Sequence, residues 1–259
     1  MRRQLFVVLT LFYWLSTGLA QQTSPNPQTS ASPNNLVSDF GTSFTFSVPP
    51  VCPGCVEVET GIARTSELFS VPAVLTIAPL NSHTDFTVLF NSFQNSSVSG
   101  RRVNQTGSEL DLVIRQQVFA SEHLTVAIAP RAAIFTRGGL SPRFGAALGV
   151  QYGRGPNTLV VNSTLTGTAS PVIGNPSLDY LTSGDYYRAL GSKGYSIFAG
   201  LQHEIFSQTQ IASFEQGLVV PVKHGQIEFN LQELGINGRT VLQQQVKLIL
   251  NTGKIIGKK

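Results

Sequence analysis

From residue 55 to the C-terminus, apolar side chains recur at every second position in about a dozen successive runs. The clearest is 109–118. There Glu109, Asp111, Arg115 and Gln117 hold the odd positions, and Leu110, Leu112, Ile114 and Val118 the even ones. Side chains of a strand alternate between two faces, so each run has one polar face and one apolar face. A helix would spread both sets around its circumference, and no stretch of helical period competes over a comparable length. The chain is therefore expected to be all-β. A soluble sheet turns its apolar face to a core, whereas a membrane barrel turns it to lipid.

The rest of the chain weighs on that choice. Residues 1–20 read as a secretory signal peptide, with Arg2 and Arg3 ahead of an apolar stretch at 5–15 and small residues at 16–20. That apolar stretch is too short to span a bilayer comfortably. Residues 21–35 are rich in Ser, Pro, Asn and Gln and carry no charge, so 21–50 is expected to be a disordered linker. Loss of the signal would remove two of the 18 basic residues and none of the 14 acidic ones, leaving too small an excess to argue for nucleic acid. Charged residues are only 12% of the chain. Between Val56 and Leu250 the only lysines are Lys193, Lys223 and Lys247, whereas water-facing sheets usually carry more. That scarcity favours lipid.

The acids point the same way. Glu57, Glu59, Asp85, Glu109, Asp111, Glu204, Glu215 and Glu228 all lie opposite the apolar set of their own run. If the apolar faces meet lipid, these carboxylates line a lumen, with Arg115 and Lys247 as counter-charges. In a soluble barrel they would be solvent-facing decoration. Gly145, Ala147, Gly149, Gly200 and Gly217 fall in the lumen set and imply space inside rather than a packed core. Connections sort by parity. Those at 92–107, 136–143 and 169–184 are long or medium; those near residues 81, 120, 155, 192 and 224 are tight. The tight set would be periplasmic turns and the long set external loops, although the connections after the first, ninth and eleventh runs are short as well.

Other constellations are weaker. Cys52 and Cys55, in Cys-Pro-Gly-Cys, are expected to form a local disulfide in an exported protein. No helix follows to give a thioredoxin-like context, and no further ligands stand near to make a metal site. His203, with Ser207 and Ser213 close in sequence, has the residue types for nucleophilic hydrolysis but no distinctive motif around it. His83, His123 and His224 fall at or beside turns. No phosphate-binding loop or cofactor motif is present.

Several features in order resemble the outer-membrane transporter family named for the meta-pathway of phenol degradation, over about residues 54–251. They are Val56-Glu57-Val58-Glu59-Thr60-Gly61, Pro72 leading into the turn before Asp85-Phe86, and Glu109-Leu110-Asp111-Leu112. Ser213-Phe214-Glu215-Gln216-Gly217 and the closing Gly225-Gln226-Ile227-Glu228-Phe229-Asn230 hairpin follow. The chain departs from the family pattern at Thr76 and Ala78, where Arg and Gly are common, in the position of Arg115, and in lacking a terminal aromatic. The resemblance implies an outer-membrane barrel that passes small, often aromatic or hydrophobic, compounds.

The expectation is thus an antiparallel up-and-down transmembrane β-barrel of about 12 strands over 51–253, followed by a basic tail at 254–259. It would sit in the outer membrane of a Gram-negative-type bacterium, exported by a cleaved signal. Its partners would be outer-membrane lipid, the barrel assembly machinery and a small solute, with no cofactor, metal or nucleic acid. The alternative is a structural or surface-binding barrel acting through its external loops, with an outer-membrane hydrolase behind it.

Overall fold

The computed structural model describes residues 48, 50–65, 68–80, 83–98, 101–105, 109–135, 142–168, 178–206, 209–236 and 239–254. The expected signal peptide at 1–20, most of the expected linker at 21–50 and tail residues 255–259 lie outside them. Among the described residues thirteen strands follow one another without a helix: β1 (Cys55–Arg64), β2 (Leu68–Ile77), β3 (Thr84–Val98), β4 (Arg101–Gln105) and β5 (Glu109–Ala120). Then come β6 (Leu124–Phe135), β7 (Arg143–Arg154), β8 (Asn157–Thr168) and β9 (Leu178–Leu190). The last four are β10 (Tyr195–Phe206), β11 (Thr209–Val222), β12 (Gly225–Ile236) and β13 (Arg239–Lys254).

All pairings are antiparallel between neighbours in the chain, with two exceptions that define the architecture. β13 returns to β1, from Cys55↔Lys254 to Arg64↔Gln244, and this closes the sheet. β4 pairs only with the far part of β3, so β5 takes its place beside the near part. The result is a closed ring of twelve strands with β4 outside it. Closure pairs the backbone groups of both would-be edges, which any strand assembly facing lipid requires.

Two expectations change. The segment 92–107 was expected to be a long loop; instead β3 runs on to Val98 and β4 returns along it. Its backbone groups pair with one another, the local solution for a long excursion beyond the ring. The loop expected at 169–184 ends earlier, because β9 begins at Leu178. Pro72 sits at the register shift of β2 against β3, and the β1–β2 pairing skips Pro72 and Val71 as well, so its missing N–H falls where the ladder is already broken. The connections at 65–67, 207–208 and 237–238 are short as well and lie at one end of the ring; the tight turns expected near residues 81, 120, 155, 192 and 224 gather at the other, with the start of β1 and the end of β13. Gly155 and Gly191 there adopt positive φ, of 58° and 70°, which a side chain would disfavour.

The two faces of the wall are sorted as the alternation demands, and in the sense opposite to a soluble barrel. Ile62, Phe86, Ile114, Phe144, Leu201 and Leu242 are exposed on the outside, Leu201 at 66%. Asp85, Asp185, Glu215 and Gln243 are turned inward and retain no more than 1% exposure. No helix among the described residues is long and apolar enough to cross a membrane, but a closed barrel crosses with strands.

Candidate functional site

The barrel interior is the candidate site, because it gathers the charged side chains that the sequence scatters over 190 or so residues. Glu57 and Glu59 of β1, Asp85 of β3, Asp111 and Arg115 of β5, Glu204 of β10, Glu215 of β11, Glu228 of β12 and Lys247 of β13 all face inward. The backbone of Glu109 opens β5, but its side chain lies outside the described residues. Among the described residues three inward charges escape the pattern reading, Arg131 of β6, Arg143 of β7 and Asp185 of β9. Amides add to them: Asn162, Gln202, Asn230, Gln232, Gln243 and Gln245 are all buried inside.

These groups meet in pairs across neighbouring strands. Arg115 and Asp85 form a buried ion pair, with Nε 3.0 and 3.1 Å from the two carboxylate oxygens. Arg131 pairs with Asp111. Lys247 Nζ lies 3.8 Å from Glu59 and 3.9 Å from Glu228, so it bridges β1 and β12 from β13. Asn230 donates to Glu215, and Asp185 stands two strands away, in register with Glu215 through Gly200. Gly200 of β10 lies between those two acids in register, and a Cβ there would collide with the Asp185 carboxylate.

Gly145, Gly200 and Gly217 therefore do not leave the space that the sequence implies. Asp185 occupies the room over Gly200, the Phe198 ring that over Gly217, and the Thr166 side chain presses on Gly145. At these three positions a neighbouring side chain or backbone carbonyl stands where a Cβ would be.

A second element enters the interior. The chain ahead of β1 forms a strap. Cys52 and Cys55 form the expected disulfide. Gly54 donates its N–H to Ala78 O at 3.1 Å, and Ala78 donates back to Cys55 O at 3.1 Å. Val51 packs with Cys55 and Ala78, and its N–H donates to the Asp85 carboxylate at 2.9 Å. Three residues earlier Val48 is fully buried against Ala127 of β6 and Val160 of β8, beside Tyr187 of β9, whose ring stacks on Phe198 at 5.3 Å. β8 stands six places from β1 around the ring of twelve. The strap thus reaches from one wall to the opposite one, close to the end that carries the tight turns.

The hydrolase constellation is not assembled: His203 is exposed on the outer face and Ser213 is buried on the inner one, while Ser207 lies outside the described residues. Among the described residues no cluster of three or more His, Cys, Asp or Glu is placed to hold a metal ion.

No protein-family model and no curated protein matches the chain. Among solved structures, the KdgM porin superposes with a TM-score of 0.56, covering 75% of this chain and 98% of the porin at 8% identity. The NanC porin gives 0.53 over 75% and 98% at 8% identity. The KdgM porin in complex with disordered oligogalacturonate gives 0.51 over 74% and 98% at 10% identity. At these identities the likeness is one of architecture: the chain has the closed antiparallel barrel fold that these porins have.

Proposed function

We propose that the protein is an outer-membrane barrel that passes or binds small solutes through a narrow, acid-lined interior, and that the strap narrows the mouth at the tight-turn end. One observation carries this reading: strand after strand, the polar set is inside and the apolar set outside. A water-soluble barrel would lose by that arrangement, whereas a lipid-embedded one gains on both faces. The export signal, the scarcity of lysine and the barrel likeness to porins support the location, with outer-membrane lipid and the assembly machinery as partners.

The interior chemistry narrows the solute. Among the described residues eight carboxyl groups face inward, Asp185 included, against Arg115, Arg131, Arg143 and Lys247. An acidic oligosaccharide such as the one in the KdgM complex would be repelled by that excess. Neutral or cationic small solutes fit it better. The aromatic or hydrophobic cargo implied by the phenol-degradation resemblance would find an apolar station at the Ala127, Val160 and Tyr187 surface that Val48 covers.

Single-channel recording in planar bilayers tests the proposal. The intact chain is expected to conduct weakly, and a variant lacking 36–50 to conduct several-fold more, since Val48 is then absent from the interior. A barrel that conducts nothing with or without the strap would rule out passage. The alternative reading, a structural barrel acting through its loops, gains from the close packing around Gly200 and Gly217. It predicts that removing the β3–β4 excursion abolishes surface binding while any permeability is unchanged.

A further inference from the structure

The outside of the ring is not uniform. On β2, β6 and β7 the outward positions from Phe69 to Ile77, Leu124 to Ile134 and Phe144 to Tyr152 are apolar or aromatic throughout. On β10 to β13 the outward set is broken by His203, Gln216, Glu233 and Gln244, each exposed. Gln216 and Gln244 lie mid-strand, in register with one another through Leu231 of β12. His203 and Glu233 stand two strands apart, each three residues before the end of its strand, and line one shallow groove that also includes Ala212 and Gly235. None of the four side chains has a hydrogen-bond or ion-pair partner among the described residues.

Lipid chains offer nothing to an amide or a carboxylate, so such groups at membrane depth normally face a cavity or another polypeptide. These four face neither within this chain. Given the membrane reading above, we propose that the outer face of β10 to β13 is where two copies of this chain pair side by side. The occupant follows from the chemistry of the sector itself. In a twofold interface the same patch meets itself, so each group must find its complement within the patch. Glu233 meets the partner's His203, and His203 the partner's Glu233. A primary amide both donates and accepts, so Gln216 and Gln244 are satisfied by the amides of an identical sector. Ala212 and Gly235, in one row of the sheet with His203, let the two walls approach there, as small residues do where membrane elements associate.

Cross-linking and mass in detergent test this on the full chain. Ala212→Cys is expected to give an oxidised, heat-resistant dimer, while Leu112→Cys on β5, six places away around the ring, gives none. The wild-type chain should show dimer mass by native mass spectrometry, and the Gln216→Leu/Gln244→Leu variant should lower the dimer fraction at least tenfold. Because those leucines suit a lipid-facing wall, the variant should keep the heat-modifiable gel shift of a folded barrel. Monomer at every protein concentration overturns the pairing, as does equal cross-linking at 112 and 212, or a monomer carrying lipid headgroup at the His203 groove. Recovery of the protein in the aqueous fraction without detergent would overturn the membrane reading itself, an outcome distinct from a membrane-bound monomer.

Discussion

Asp85 does more than any other inward side chain, because three elements depend on it. Its carboxylate takes the Arg115 guanidinium from β5 and the Val51 N–H from the strap, while its own strand holds it fully buried. Asp85→Asn would leave a buried guanidinium without its counter-charge. Removing one partner of a buried pair costs about 3–5 kcal/mol, so the variant is expected to lose its folded gel mobility at lower temperature and lower urea than wild type. Arg115→Gln in the same background should recover part of the loss, whereas a solvated, dispensable pair would show no such coupling. Gly200 makes a second residue-scale case. An alanine there would press on Asp185, and overpacking of a filled interior costs about 1–3 kcal/mol. Gly200→Ala should lower urea resistance in detergent, and Asp185→Ala should relieve the penalty; equal penalties in both backgrounds would show that the acid does not occupy that space. Alternation made most of these charges legible in the sequence. Arg131, Arg143 and Asp185 escaped it for local reasons, Arg143 because it falls at the end of the connection expected at 136–143. Arg131 follows Pro130 and stands among Ala127, Ala129, Ala132 and Ala133, so neither face of its run looks polar. Asp185 is flanked by Ser183, Gly184 and Tyr186, so neither face looks apolar.

At the scale of the element, the strap and the β3–β4 excursion are where sequence reasoning and structure part. Both are rich in Ser, Asn, Thr or Pro, the composition of chain that pays no hydrophobic dividend for ordering. In the excursion, backbone pairing supplies what side chains do not. In the strap, two valines and one amide suffice, because the interior offers Ala127, Val160 and Ala78 to the valines and Asp85 to the amide. The Cys52–Cys55 link closes too short a loop to matter much through chain entropy. Its consequence is positional: it fixes the turn from which Val51 and Val48 enter. Cys52→Ser/Cys55→Ser is therefore expected to lower barrel stability by no more than about 2 kcal/mol but to raise conductance, since the strap loses its anchor while the wall keeps every strand pair. A conductance equal to wild type would show that the hydrogen bonds of Gly54 and Val51 hold the strap by themselves.

The molecule as a whole is a closed wall with its polarity reversed, and that reversal is what the dozen alternating runs already contained. The closure was less legible, because the pairing of β1 with β13 joins residues nearly 190 apart and no local pattern encodes it. What does follow from the assembled ring is a net field. The inward carboxyls are spread over β1, β3, β5, β9, β10, β11 and β12, whereas the inward bases lie on β5, β6, β7 and β13. The arginines on β5 and β6 are matched locally by Asp85 and Asp111, so their charge is largely cancelled where it arises. Excess negative charge then belongs to the wall of β9 to β12, with Lys247 at its margin shared between Glu59 and Glu228. A low-dielectric wall bearing one sign of charge concentrates counter-ions along it. In asymmetric potassium chloride the reversal potential should accordingly show cations favoured over chloride. Glu228→Gln leaves Lys247 with one carboxylate fewer and should shift the reversal potential toward chloride. Lys247→Gln should shift it the other way. The paired signs of those two shifts carry the test: if both variants moved selectivity in the same direction, the interior charges would not be setting it, and the loops at the far rim would be the place to look.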